Sequence, residues 1–105
     1  MSVKIVALIK AKSGVSREDF LRLWNLEHPP YVWKLPALER YVQNPAIEHR
    51  TEWAYDGMAE LWFPSVKAVA HAFATPEADI VRDHEELFIG NIVWFLAEES
   101  EIAPV

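Results

Sequence analysis

The sequence has no cysteine, only three glycines, and fewer basic than acidic residues. The lack of cysteine excludes a disulfide framework, a thiolate nucleophile and a cysteine-ligated metal, and a reducing compartment, the cytoplasm, is expected. The three glycines are far apart, which excludes a phosphate-binding loop and a dinucleotide fingerprint. A formal net charge of −6 argues against nucleic acid as a partner, because nucleic acid binds basic surfaces.

Neither a membrane nor a metal is indicated. No apolar run reaches the ~20 residues of a transmembrane helix, and the start of the chain lacks a signal-peptide pattern. The four histidines, His28, His49, His71 and His84, show no metal-ligand spacing. We expect His49 and His71 to be surface residues. The pattern leaves open a haem or a non-haem metal held by scattered residues. Otherwise the chemistry that remains is acid–base work in an apolar pocket without a cofactor, or binding alone.

The size and composition of the chain suggest one domain. The chain has 105 residues, of which 51% are hydrophobic and five are tryptophan. That length supports a single, modest core. We expect one domain over residues 1–105, with its core at about 3–98 and a short tail at 99–105.

Hydropathy patterning predicts an α+β protein with the element order β-α-β-β-α-β, the ferredoxin-like plan. The predicted strands span residues 3–11, 38–45, 58–63 and 91–99. Helices are predicted after the caps Ser16 and Ser65, with a break at 29–30, a short helix over 30–35 and a further helical stretch at 77–88. The residues predicted to face inward in the later helices are Val66, Val69, Ala70, Phe73, Ile80, Val81, Leu87 and Phe88.

The first and fourth strands are apolar on both of their alternating faces. In the ferredoxin-like plan the helices cover one face of the sheet, so an apolar second face has no cover within the chain. We therefore expect two copies to pair through this face as a homodimer, the commonest kind of oligomer. The alternative is that these residues are scattered surface apolars.

His28 is the leading candidate for proton transfer. It directly precedes Pro29 and Pro30, one turn after Trp24. Pro29 disfavours the helical conformation at His28, so the pattern predicts a kink that leaves the ring free of intrahelical packing. Imidazole has a pKa near ~6.5 and exchanges protons at neutral pH. The alternative is a ring that hydrogen-bonds a carbonyl freed by the prolines.

Three other polar residues are weighed against structural roles. Tyr41 either donates a hydrogen bond to a developing oxyanion or packs its ring with the hydroxyl at the rim. Asn44 either orients a carbonyl or serves as a turn residue before Pro45. Glu60 either is desolvated, with a raised pKa, or pairs with Arg40, and we favour the pair.

The polar run at 83–86 is divided between two roles. His84 is a candidate for the polar mouth of a pocket. Glu85 and Glu86 are predicted to lie on a solvated helix face, which is the usual place of such charge runs.

Three motifs resemble the EthD family, and the likeness extends over about residues 3–98. They are Trp-x3-His-x-Pro (Trp24, His28, Pro30), a Tyr-Val-Gln-Asn strand end at 41–44, and Asp-Gly-x-Ala-Glu-Leu-Trp-Phe at 56–63. The resemblance implies a dimeric α+β barrel with a ligand pocket between the helices and the sheet of each subunit. It also implies proton transfer by His28 and a pocket position for Tyr41, since relatives with this fold mostly act on aromatic or enone-like carbonyl compounds without a cofactor.

The leading functional hypothesis is a cofactor-independent lyase, cyclase or isomerase of aromatic, polyketide-type or catabolic metabolism, acting next to a carbonyl. His28 would be the general base or acid, and Tyr41 with Asn44 would hold the enolate oxygen. The other residues assigned to binding an apolar or aromatic substrate are Trp24, Glu60, Trp62, Phe73, His84 and Phe88. The alternatives are a non-catalytic dimeric accessory or binding protein, and a cofactor-free or haem-using monooxygenase.

Overall fold

The computed structural model describes residues 2–105 and has helices on one face of a four-stranded antiparallel sheet. The strands are β1 (Val3–Ala11), β2 (Arg40–Pro45), β3 (Gly57–Phe63) and β4 (Ile89–Ala97), in the order β2-β3-β1-β4. The helices are α1 (Arg17–Leu21), a π-helix (Arg22–Glu27), α2 (Pro29–Val32), α3 (Val66–Ala72) and α4 (Pro76–Glu85). The predicted ferredoxin-like α+β plan is thus confirmed. Among residues 2–105, no helix has the length and apolar character needed to cross a membrane.

Alternation along β1 separates the two faces of the sheet. Ile5, Ala7 and Ile9 belong to the core on the helix side. In β3, Leu61 pairs with Ile5 and Ala59 with Ala7, and all of these side chains are buried. A slip of one residue would turn this apolar set away from the helices, so the sequence pattern fixes the register.

Aromatic side chains fill the space between the helices and the sheet. The largest fully buried side chains are Phe20, Trp24, Phe63 and Phe88. Gly57, the first residue of β3, lies against the Trp24 indole: a Cβ added there would be 2.5 Å from Cη2. The absence of a side chain at Gly57 is therefore what allows the indole to pack against the strand.

The predicted helix caps are confirmed. The Ser16 hydroxyl accepts a hydrogen bond from the Asp19 backbone N–H at 3.1 Å, and Ser65 accepts one from Ala68 at 3.0 Å. Each satisfies a backbone donor that has no partner within its helix, which contributes about 1 kcal/mol.

The predicted inward faces of α3 and α4 are partly wrong. The buried residues of α4 are Ala78 and Val81, and Phe88 just after the helix is also buried. The prediction omitted the small residue Ala78. Residues off this buried stripe turn outward. In α3 the side of the helix next to Val69 borders an open cleft instead of the core. The residues predicted inward but found exposed are Val66, Ala70, Ile80 and Leu87.

The sheet face opposite the helices, here called the outer face, carries apolar side chains of β1 and β4. Val6 pairs with Phe95 and Leu8 with Val93, and paired residues of antiparallel strands share a face. Phe95 is 52% exposed, and nothing else in the described range 2–105 covers the outer face of β4. The helix side of this edge strand is also open, since Trp94 is exposed there.

Candidate functional site

The turn before His28, at residues Arg22–Glu27, is a π-helix, a widened helical turn. The His28 N–H donates to the Leu23 carbonyl, five residues back, at 2.9 Å. Pro29 and Pro30 then occupy the first positions of α2, where a helix has no internal acceptor for backbone N–H groups. His28 keeps helical angles (φ −74°, ψ −39°), so the conformation that Pro29 was predicted to disfavour is the one observed. The preference before proline is a bias, and the wide π-turn accommodates both prolines without leaving helical geometry.

The His28 carbonyl has its own partners. It accepts hydrogen bonds from the backbone N–H groups of Tyr31 (3.0 Å) and Val32 (3.3 Å). The carbonyls that lose a donor to Pro29 and Pro30 lie one turn earlier, and the ring nitrogens of His28 face His84 and Glu85 instead of a carbonyl. The structure therefore does not show the alternative role for this ring.

The His28 ring is buried, 3% exposed, between three side chains. Its Nδ1 lies 2.8 Å from Nδ1 of His84, and the two rings are nearly parallel. Its Nε2 lies 3.7 Å from a carboxylate oxygen of Glu85. The edge of Phe88 packs against the ring, with the centroids 5.2 Å apart. Every buried side-chain nitrogen or oxygen among residues 2–105 has a hydrogen-bond partner, so no buried polar atom is stranded at this ring.

His28 borders a cleft of about 480 Å³ between the helices and the sheet. Its walls are apolar over most of their area, with the indole of Trp24 on the helix side and Trp94 on the exposed edge strand. The residues with polar side-chain groups in this lining, apart from the two indoles, are His28, Tyr41, Arg82 and Glu85. An apolar wall with a few convergent polar groups is typical of small-molecule sites.

Tyr41 of β2 lines the same cleft, and its hydroxyl is fixed by a hydrogen bond from Gln43. The Gln43 side-chain amide donates to the Tyr41 oxygen at 2.6 Å and to the Trp24 carbonyl at 2.8 Å. Asn25 in turn donates to the Gln43 amide oxygen at 2.7 Å. Since the phenol oxygen accepts from Gln43, its own hydrogen is available to a ligand in the cleft.

Burial raises the pKa of Tyr41 to about 12, and the negative charge of Glu85 acts in the same direction. The hydrogen bond from Gln43 opposes this shift but does not cancel it. The phenol is therefore protonated throughout the physiological range and acts as a hydrogen-bond donor, not as a base.

The structure brings together some of the predicted site residues. His28, Tyr41, Trp24 and Phe73 line the cleft. His84 contacts the His28 ring from its other side, and the fully buried Phe88 packs behind both histidines.

Three predicted binding residues lie on the outer face, away from the cleft. The Asn44 side-chain amide donates to the Met58 carbonyl and to Glu60. Trp62 lies under the Arg40 guanidinium, 4.4 Å from its ring centroid. These positions follow from the strand period of two, because Asn44 in β2 and Glu60 and Trp62 in β3 share a face.

Glu60 forms its ion pair with a different cation from the one predicted. Lys4 Nζ lies 2.7 Å from its carboxylate, and Arg40 contributes only through its charge. The hydrogen bond from Lys4 is the largest cause of a lowered pKa at Glu60, which contradicts the alternative of a raised pKa.

Sequence reasoning missed the polar residues Gln43, Arg82 and Glu85 near the cleft, and the aromatic Trp94 on its wall. Glu85 was predicted to be solvated, yet its side chain is 28% exposed and it lines the cleft. The signal was present, because Glu85 falls four residues after the buried Val81, on the same stripe of α4. Gln43 could also have been predicted, since it lies two residues after Tyr41 and so shares its strand face.

A second concavity lies around the loop at 46–56, and it is more open and more polar than the cleft. Two of its charged side chains bond to the backbone of the chain: Arg17 donates to the Ala46 carbonyl, and Asp56 accepts from the Ala11 N–H. His49 lies here and is exposed, as predicted. Within residues 2–105, no group of three or more acidic or histidine side chains is placed to hold a metal ion.

Comparison with known proteins supports the fold. An EthD family protein from Bacillus halodurans has a TM-score of 0.81 at 20% identity, covering 95% of this chain and 100% of that one. A dimeric protein of unknown function with a ferredoxin-like fold, from Bacteroides fragilis, has 0.72 at 14% identity, covering 93% and 96%. SnoaB, a cofactor-independent oxygenase from Streptomyces nogalater, has 0.71 at 12% identity, covering 99% and 98%. No curated protein matches this chain in sequence.

The sequence match is more specific than these structural likenesses, which show the fold alone. The family model for the EthD domain matches residues 12–90, well over half of the chain. The matched range includes the π-helix, His28, Tyr41 and all of α4. The protein therefore belongs to the EthD family.

Proposed function

We propose that this chain is a cofactor-independent enzyme of the lyase, cyclase or isomerase type, which moves a proton next to the carbonyl of an apolar or aromatic substrate. The observation that carries the proposal is the buried imidazole of His28 at the wall of an apolar cleft that it shares with Tyr41. A general base must lie within hydrogen-bond reach of the proton that it takes, and a ring held between polar partners at the cleft wall is placed for this.

The cleft suits a small, largely apolar substrate. Its volume of about 480 Å³ falls within the range of small-ligand sites, roughly 300–1,000 Å³. Trp24, Phe73 and Trp94 offer aromatic surface on different sides. Such walls exclude water and lower the local dielectric, which strengthens each electrostatic contact made with the reacting carbonyl.

The polar groups divide the work of proton abstraction. His28 Nε2 takes the proton from the carbon beside the carbonyl, and the Glu85 carboxylate at 3.7 Å stabilises the imidazolium that forms. The electron pair of the broken bond moves onto the carbonyl oxygen. Tyr41 donates its hydrogen to that oxygen as negative charge develops there. Its raised pKa keeps the phenol protonated, so the donor is present at every turnover.

We further propose that the protein works in the cytoplasm as a homodimer joined through the outer face. The exposed Phe95 and Val93 support this, because apolar patches of this kind mark contact surfaces. A structural neighbour from Bacteroides fragilis is described as dimeric. The cleft lies on the opposite side of the sheet, so pairing in this way leaves it accessible.

The test is catalysis itself. The protein is incubated in heavy water with a panel of aryl ketones and 1,3-diketones, and mass spectrometry follows deuterium uptake beside the carbonyl or formation of a product. We expect uptake or conversion by the wild type and a large loss in Tyr41→Phe, which retains the ring but lacks the donor. Saturable binding of these compounds with neither uptake nor product would overturn the proposal in favour of an accessory binding protein.

A further inference from the structure

The imidazole of His84 lies on the side of His28 that faces away from the cleft. The two Nδ1 atoms are 2.8 Å apart, and the ring planes differ by only 13°. His28 is buried and lines the cleft, whereas His84 is partly exposed and packs against the Tyr31 ring of α2. The pair therefore spans from the cleft wall to the protein surface, and proton transfer at His28 as proposed above makes no use of His84.

A hydrogen bond between two ring nitrogens holds one proton. When both imidazoles are neutral, one Nδ1 carries the hydrogen and the other accepts it. In the first arrangement His28 donates from Nδ1, and its Nε2 is a free base on the cleft side. In the second arrangement His84 donates from Nδ1, and His28 carries its hydrogen on Nε2. The tautomers of the two rings are thus linked, and one cannot change without the other.

We propose that His84 is a positioning and proton-relay residue, which carries protons between His28 and solvent; this rests on the proposed function of His28. The substrate C–H bond breaks and its proton binds His28 Nε2, while the electron pair stays on the substrate as an enolate. The hydrogen on His28 Nδ1 crosses to His84 Nδ1, and His84 releases its Nε2 hydrogen to water. Both rings are then neutral again, and their tautomers are exchanged. The reverse sequence delivers a proton to the substrate.

The charges around the pair determine its resting arrangement. The Glu85 carboxylate of α4, 3.7 Å from His28 Nε2, favours a hydrogen on that nitrogen. Glu27 of the π-helix and Glu85 act on His84 by their charge, and Tyr31 of α2 packs on its ring. The resting pair therefore presents an N–H to the cleft, which is the arrangement that delivers a proton, and a free His84 Nε2 to the outside. For proton abstraction the tautomers first exchange: the Nε2 hydrogen of His28 passes to water in the cleft, the shared hydrogen moves to His28 Nδ1, and a solvent proton binds His84 Nε2.

Burial and the neighbouring His28 lower the pKa of His84. The two glutamates oppose this shift but do not cancel it. A lowered pKa disfavours a lasting imidazolium, so a proton that reaches His84 passes on to water instead of being retained. This is the behaviour that a relay requires, and it predicts that hydrogen removed from the substrate is exchanged with solvent.

The resting arrangement is tested without a substrate by nitrogen NMR of histidine-labelled protein at neutral pH. We expect His28 to show a protonated Nε2, an unprotonated Nδ1, and a correlation through the shared hydrogen bond to His84. Glu85→Gln should raise the population of the opposite tautomer, whereas His71→Asn, at an exposed histidine of α3, should leave it unchanged. Absence of the correlation, or two independent tautomer equilibria, would overturn the proposal.

The relay role of His84 is tested with the ketone of the panel that takes up deuterium fastest in the presence of the wild-type protein. In weak buffer, His84→Ala should slow deuterium exchange roughly 10- to 100-fold, with the losses known for hydrogen-bond partners of metal-bound histidines as the guide. Added imidazole should restore the rate, because a small base can occupy the vacated, partly exposed space. A rate equal to the wild type, or a loss that imidazole does not restore, would overturn the relay. His28→Asn separates the two ideas, since full activity in that variant would overturn the proposed function itself.

Discussion

Replacement of Gly57 by alanine should destabilise the protein and disturb the cleft together. The added Cβ would lie 2.5 Å from Cη2 and 2.6 Å from Cζ3 of Trp24, and 3.1 Å from the Asn44 carbonyl oxygen. Trp24 is 1% exposed and packed on most sides, so the only open space next to its indole is the cleft that it lines. The ring, the strand or both must shift, and the wall of the cleft next to His28 shifts with them.

The expected cost is at the upper end of overpacking, about 2 to 3 kcal/mol, because the contact is with a rigid ring and a backbone atom. With a urea m-value of about 1.5 kcal/mol/M for a chain of this size, the unfolding midpoint should fall by about 1.3 to 2 M. The assay is urea unfolding followed by tryptophan fluorescence and circular dichroism, with coincident transitions as the test of two-state behaviour.

A second substitution isolates the steric cause. Trp24→Phe removes the ring atoms that meet the new Cβ, so the double variant should be less destabilised than the sum of the single variants by about 1 kcal/mol or more. Gly14→Ala is the matched control: Gly14 has φ +86° and no other atom within 4 Å of an added Cβ, so only a backbone cost of about 1 kcal/mol is expected. An unchanged midpoint in Gly57→Ala, or additive effects in the double variant, would refute this account of the core.

Three further predictions concern other parts of the molecule. The pKa of Glu60 is lowered by Lys4, so its stabilisation is present above the ordinary value of about 4.5 and is lost as pH falls through the lower folded value; Glu60→Gln should flatten the acid limb of urea midpoints, and an unchanged limb would contradict this. Phe95→Lys should halve the mass measured by sedimentation equilibrium, whereas Ile80→Lys on exposed α4 should not; a dimeric Phe95→Lys would count against the outer face as the interface. Gln43→Leu removes the hydrogen bond that orients the Tyr41 hydroxyl, so deuterium exchange should slow roughly 10- to 100-fold, as when an orienting partner is removed at a metal site, while the protein stays folded. An exchange rate equal to the wild type would exclude this role.

The fold could be predicted from local sequence patterns, because each strand and helix has a characteristic pattern of its own. Residues 3–11 are apolar on both alternating faces, which marks a strand, and the structure then places Ile5, Ala7 and Ile9 on the helix side. Ser16 and Ser65 mark two helix starts through hydrogen bonds to residues three positions on. The partners in each of these interactions are close in sequence, so a single sequence is enough to predict them.

The candidate site depends on contacts between distant residues, which no local pattern contains. His28 and His84 are 56 positions apart, and they meet only because α2 and α4 pack side by side. Lys4 and Arg40 both lie opposite Trp62 in the register, so both are diagonal neighbours of Glu60. The side-chain conformations decide between them, since Lys4 contacts the carboxylate and Arg40 lies over the Trp62 ring. A different error was avoidable: Tyr41 and Asn44 were assigned to one pocket although a spacing of three places them on opposite strand faces.

The central claim, that His28 moves protons within the cleft, is tested most directly by one comparison of rates. Deuterium uptake beside the carbonyl of the fastest-exchanging ketone is measured for the wild type and His28→Asn, with His71→Asn as the control histidine and circular dichroism as the check on folding. We expect His28→Asn to lose at least about 100-fold, the lower end of the contribution from a positioned acid–base group, while the control keeps the wild-type rate. A folded His28→Asn protein that exchanges deuterium as fast as the wild type would contradict the account.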